Sequence, residues 1–212
     1  MAFDPLTMLT ITIALALAAS LYLAIEWQTV REPSLLYWSA GFALISVGCI
    51  LALLRSSGLL LVGIWFANGL LIISHWLFFA GVARFTETRL SPAWLLVVVI
   101  WFALLLLPEG PEWSKIMLLV NSLLIALITI RASFLLRPRG KSLGAGAAQL
   151  RFVLLGHGLF YIAKTIPVLM PGTLIDLAAF RGEIIQISLV EGVMALMPVS
   201  YTHLRAHETR ED

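Results

Sequence analysis

The chain has 212 residues, 60% hydrophobic and only 12% charged, with a formal net charge of +2. A soluble domain carries roughly a quarter charged residues, so this composition excludes an ordinary soluble fold, and the small net charge implies no nucleic-acid surface. Cys49 is the single cysteine, which rules out an internal disulfide framework and any cysteine metal site.

The apolar stretches, taken in order, predict seven helices. The first covers Leu6 to Ile25. Ala14 and Ala16 imitate a signal-peptide cleavage pattern there, but Asp4 precedes the run without any Lys or Arg, so the segment reads as a retained helix. The second covers Leu35 to Leu54, the third Leu59 to Val82 and the fourth Pro92 to Leu107, with the proline at its first turn, where it is tolerated. The fifth is Ile116 to Leu136, the sixth Ala148 to Met170 and the seventh Ile184 to Met197. Crossing about 30 Å of hydrocarbon takes about 20 apolar residues, so the seventh is too short as it stands. Lipid offers no partner for backbone N–H and C=O groups, so every span must be helical. The breaks fall at Glu32-Pro33, Ser56-Ser57-Gly58, Pro108-Glu109-Gly110-Pro111 and Pro171-Gly172, all turn formers. Trp27, Trp94 and Trp113 lie at span ends, where indole rings favour the membrane–water boundary. The predicted fold class is an all-α membrane protein, a bundle of seven transmembrane helices with the seventh truncated.

Positive charge chooses the orientation. One set of alternating loops holds Arg31, then Arg84 and Arg89, then Arg137, Arg139 and Lys141; the other holds Arg55 and Lys115. Lys and Arg accumulate on the cytoplasmic side. The amino terminus is therefore expected outside, with the seventh helix leaving into the cytoplasm. Residues 1–197 form one membrane input domain in this reading. The acidic loop with Glu109 and Glu112 is external, and Leu174 to Arg181 has the pattern of a short helix lying on the outer face.

Residues 198–212 break with what precedes them. Pro198-Val-Ser-Tyr-Thr-His-Leu-Arg-Ala-His-Glu-Thr resembles the conceptual translation of a transposon-type sequencing adapter. His203 and His207 stand one helical turn apart, a spacing that suits a metal, but an artefactual tail carries no functional weight. The expectation is that the seventh helix and further cytoplasmic protein continue beyond Met197.

Ionisable groups inside spans are costly, so each is a functional hypothesis. His75 in the third span and His157 in the sixth are the interior histidines. His75 reads as a hydrogen-bonded packing residue between helices or as a ligand, a proton-sensing group or a haem ligand, and with His157 it offers a metal or haem site that nothing in the spacing demands. Glu191 on the seventh span needs a cation, and Arg151 or Lys164 on the sixth are available unless both extend to the membrane surface. Asn68 and Asn121 suit hydrogen bonds between helices. Gly140-Lys141-Ser142 imitates the end of a phosphate-binding loop without its upstream glycine or strand. No His-Glu-x-x-His occurs, and no pair of broken helices marks a transport site.

The run Trp65-Phe-Ala-Asn-Gly-Leu-Leu-Ile-Ile-Ser-His-Trp-Leu-Phe-Phe-Ala-Gly-Val-Ala-Arg-Phe resembles the third helix of a widespread bacterial sensor region. Its Ala67-Asn68 pair, polar His75 and closing Ala80-Gly81-x-x-Arg84-Phe85 carry the likeness. Ile187-Ser-Leu-Val-Glu-Gly-Val-Met-Ala-Leu is similar to the last span of that region. The resemblance implies a bacterial inner-membrane protein with a cytoplasmic GGDEF (diguanylate cyclase) domain. That parent would act as a homodimer and condense two GTP into cyclic di-GMP with Mg²⁺. No cofactor and no catalytic residue fall in this stretch. The competing expectations are the membrane region of a sensor histidine kinase and a fragment of a small transporter. In all three the immediate partner is the lipid bilayer, and the signal is unnamed.

Overall fold

A computed structural model of the chain describes residues 5–59, 61–106, 113–137 and 144–169. The expected seventh span with Glu191, the stretch 174–181 and the polar tail lie outside these residues. Among the described residues every regular element is helical: α1 (Pro5–Val30), α2 (Pro33–Leu53), α3 (Ala67–Phe85), α4 (Leu96–Ala103), α5 (Trp113–Leu135) and α6 (Gly144–Leu169).

The ends of these helices follow local chemistry. α1 runs past the expected Ile25 to Val30 because nothing in Glu26-Trp-Gln-Thr breaks a helix. It stops where Arg31 adopts a left-handed φ of 58°. Glu32 then caps α2: its carboxylate accepts from Ser34 N at 3.4 Å and Ser34 Oγ at 3.1 Å, with Pro33 at the first helical position. Gly58, at φ 77°, supplies the left-handed residue between α2 and the next helix.

α3 does not begin as a regular helix. Leu61–Phe66 forms a π turn before the α ladder starts at Ala67. A π turn displaces carbonyls from the α ladder, and two of them find side chains instead. Asn68 Nδ2 donates to the Ile64 carbonyl at 2.7 Å, and Trp101 Nε1 donates to the Trp65 carbonyl at 3.1 Å. The expected bond from Asn68 to another helix is thus spent within its own.

The fourth expected span is shorter than a crossing. Ser91 caps a 3-10 turn at Pro92–Leu95, the α segment has 8 residues, and a second 3-10 turn closes it at Leu104–Leu106. The Val-Val-Val-Ile run lies in the α segment, and the tightened turns fall on Pro92–Leu95 and Leu104–Leu106 at either side of it. Four helices are long and apolar enough to cross a membrane: Leu9–Val30, Pro33–Leu53, Leu61–Phe85 and Lys115–Leu135. α6 has the length, at 26 residues, but carries Gln149, Arg151, His157 and Lys164. Among the described residues, four helices meet the length and hydropathy of a crossing, and the expected seventh span lies outside those residues.

The helices pack as a series. α2 lies between α1 and α3, and α5 between α3 and α6, while α4 rests on α3. Two glycine notches on α3 admit indole rings. Trp38 of α2 sits against Gly81, where a Cβ would collide with its ring, and donates to the Phe78 carbonyl at 3.3 Å. Trp101 of α4 sits against Gly69. Between α1 and α2, Ser39 Oγ donates to the Ser20 carbonyl at 2.8 Å. Cys49 is buried in the core, as a small apolar side chain is expected to be. The outer faces are as apolar as the core: Leu17, Leu21 and Ile25 on α1, Leu123 and Leu127 on α5, Phe152 and Ile166 on α6 are all exposed. Helices that are hydrophobic all round belong in lipid.

Gly81→Leu is expected to destabilise the bundle by about 1–3 kcal/mol, because the side chain overpacks against Trp38. Gly156→Ala, where an added Cβ meets nothing within 4 Å, is expected to stabilise by roughly 0.5–1 kcal/mol. Unfolding of the purified variants in detergent reads both signs.

Candidate functional site

His75 and His157, far apart in sequence and in the third and sixth expected spans, meet in the interior. Their Nε2 atoms are 3.1 Å apart. The two residues are 0% and 2% exposed. Local sequence explains both placements. His75 lies one turn beyond Leu71 on α3, and its Nδ1 donates to the Leu71 carbonyl at 2.6 Å. His157 stands between Gly156 and Gly158 on α6. A Cβ at Gly158 would lie 2.5 Å from Ile130 Cγ1 and 2.9 Å from Thr129 Oγ1. Only glycine lets α6 come this close to α5, and that approach carries His157 inward to α3.

The hydrogen-bond pattern fixes the protons. A carbonyl only accepts, so His75 Nδ1 carries hydrogen and, in the neutral ring, Nε2 is bare. The neighbouring His157 Nε2 must then be the donor. That leaves His157 Nδ1 bare, and it has no hydrogen-bond partner among the described residues. Ring centroids 5.2 Å apart, with planes 24° from parallel, place the imidazoles edge to edge rather than face to face.

Aromatic rings wall the pair. Phe78 lies 6.0 Å from His75, and Tyr161 lies 4.8 Å from His157 and 6.2 Å from His75. Lys164 Nζ stands 4.8 Å from the Tyr161 ring centroid, and the residue is only 9% exposed. Lys164 therefore does not extend to the membrane surface; it turns inward along the stripe His157, Tyr161, Lys164. Those residues share a face by helical spacing, so Tyr161 and Lys164 were detectable in the sequence as neighbours of His157 but were not grouped with it.

The other candidates lie apart from the pair. Asn68 is two turns away on α3 with its amide on Ile64. Arg151 is half-buried near the start of α6, its guanidinium 5.9 Å from the Phe152 ring centroid. Asn121 is buried on α5, and its Nδ2 makes no hydrogen bond among the described residues, so it does not form the expected bridge through that group. Glu191 lies outside the described residues. Trp27, Trp94 and Trp113 do fall at helix ends, each partly buried. Among the described residues no group of three or more His, Cys, Asp or Glu could hold a metal. The two imidazoles are the nearest approach to a ligand set. Chemically, the arrangement makes one N–H···N bond across two helices and keeps one bare nitrogen in an apolar wall. The chain matches no family model, no curated protein and no solved structure.

Hydrogen bonds between helices in membranes are worth about 0.6 kcal/mol on average and up to about 1.7. His75→Leu and His157→Leu are each expected to cost about 1–3 kcal/mol, since each strands a buried polar partner. The double variant should cost less than the sum, giving a coupling of about 1 kcal/mol in a double-mutant cycle. Additive losses would mean that the two rings are not bonded.

Proposed function

We propose that this chain is the membrane input region of a bacterial signalling protein of the inner membrane, with a cytoplasmic diguanylate cyclase as its output. The observation that carries the input reading is the His75–His157 bond, buried between α3 and α6. Stability alone favours apolar packing at such a layer, because a polar contact in lipid contributes little and is costly when broken. A polar tie suits a two-state element, made in one helix arrangement and lost in another. A signal acts by favouring one arrangement through differential binding, and a shift of α6 relative to α3 is the movement to be passed on.

The nature of the output rests on the resemblance of Trp65–Phe85 to sensor regions that precede GGDEF domains. The basic loops at Arg31, Arg84 and Arg89 support the orientation, carboxyl end inward where GTP is found. Mg²⁺ takes oxygen ligands, and α3, α5 and α6 carry no carboxylate. Mg²⁺ and GTP would belong to the output domain, where two cyclase domains must meet in a homodimer.

The test reads the gene for about 200 codons past Met197 and then measures cyclic di-GMP in cells carrying the whole gene. A Gly-Gly-Asp/Glu-Glu-Phe signature is expected, with output changed several-fold by His75→Leu and by His157→Leu. A phospho-acceptor histidine motif would move the output to a kinase. A gene that adds only further spans, or an output indifferent to both variants, would end the proposal.

A further inference from the structure

The seam between α5 and α6 ends in two arginines, and we propose that Arg137 and Arg151 together bind the phosphate headgroup of an anionic phospholipid. Such a lipid site is independent of the signalling reading and stands whatever the output domain is.

Helix geometry brings the two side chains together. α5 and α6 pack against each other, and the short stretch from Leu135 to Gly144 makes them antiparallel neighbours. They come close at Gly158, where a Cβ would lie 2.5 Å from Ile130 Cγ1. Two turns of helix, about 7 residues and about 10 Å along the axis, return to the same face. Arg137 follows Ile130 by that interval, and Arg151 precedes Gly158 by the same interval. Arg137 N donates to the Phe134 carbonyl at 3.4 Å, so the chain is still turning there. In antiparallel helices the two offsets run the same way along the seam. Both arginines therefore stand at one level, one on each side of it.

The surroundings leave these cations to an outside anion. Neither helix carries a carboxylate. Each guanidinium lies by a ring of its own helix instead: Arg137 Cζ is 4.2 Å from the Phe134 centroid, and Arg151 Cζ is 5.9 Å from that of Phe152. A ring takes up the face of a guanidinium and leaves its N–H edge for hydrogen bonds. Two like charges at one level repel each other, and an anion between them turns that repulsion into attraction. Phosphate oxygens match the planar fork of arginine and accept two bonds from it.

Depth and apolar surface choose a lipid over a soluble anion. The apolar span Lys115–Leu135 closes just before Arg137. The pair thus stands at the edge of the hydrocarbon, where the polar headgroup layer begins. On α6, Phe152, Leu159 and Ile166 recur at heptad spacing and are all exposed. They make an apolar strip that begins beside Arg151 and runs away from the arginine pair. An acyl chain below a bound headgroup fits this strip, whereas inorganic phosphate gains nothing from it. Arg137 also belongs to the basic loops expected on the cytoplasmic side, where anionic lipids attract such charges.

The test is native mass spectrometry of the full chain in detergent, with phosphatidylglycerol or phosphatidylcholine added. One phosphatidylglycerol per chain should be retained in preference to phosphatidylcholine. Arg137→Gln and Arg151→Gln should each weaken retention about five-fold, and the double variant should weaken it further. Arg31→Gln, which removes a charge at the end of α1, should leave retention unchanged. Equal retention of the two lipids overturns the inference, as does full retention in the double variant or an equal loss in Arg31→Gln. Displacement of the lipid by inorganic phosphate assigns the pair to a soluble anion and overturns the lipid site. A second measurement needs no variant to fold: solid-state NMR of the unaltered chain in phosphatidylglycerol bilayers should show arginine Cζ in contact with lipid phosphorus. Absence of that contact overturns the inference as well.

Discussion

A donor buried in hydrocarbon gains most from an acceptor inside the protein, and in this bundle three such bonds converge on α3 and the turn that opens it. Three neighbours each present an N–H to it. Trp38 of α2 reaches the Phe78 carbonyl, Trp101 of α4 reaches the Trp65 carbonyl just before the helix, and His157 of α6 reaches His75. Apolar packing between membrane helices is nearly indifferent to rotation and sliding, because lipid competes with it on equal terms. These three directed contacts choose one register among many packings that would be comparable in area. α1 depends on the same logic one step removed, through Ser39 to the Ser20 carbonyl.

The glycines of α3 serve that arrangement. An indole can reach a backbone carbonyl of a neighbouring helix only where the intervening surface lacks a side chain, and Gly69 and Gly81 provide the gaps. The wall of the histidine pair is built by the same device: Gly41 of α2 gives way to the Phe78 ring, and Gly158 of α6 lets that helix press on Thr129 and Ile130. Close approach and polar satisfaction are therefore one structural solution.

How far the sequence foretold this depends on the range of each interaction. The limits of α2 were legible to within a few residues because Pro33 and Glu32 act locally. The π turn at Leu61–Phe66 was not, since nothing in Leu-Val-Gly-Ile-Trp-Phe distinguishes it from ordinary helix. The fourth element looked like a crossing because hydropathy counts apolar residues without asking whether they hold a long helix. His75 and His157 stood out as ionisable groups in lipid and were open to pairing, but nothing required it, because spacing along a chain does not record which helices are neighbours. The place of Lys164 was left open for a related reason. Its position along α6 does not say which way the long side chain turns, and in the fold it is buried beside the Tyr161 ring.

The two glycine–tryptophan seats also constrain how this sequence can drift. Replacing Gly81 with a larger residue displaces the Trp38 ring from its carbonyl, and replacing Trp38 leaves a notch with nothing to fill it. Neither residue is advantageous without the other, so an intermediate carrying one change is worse than either end point. Homologues should therefore divide into those with both members of a seat and those with neither. Trp38–Gly81 and Trp101–Gly69 then become paired characters by which distant relatives could be aligned where hydropathy alone gives no register.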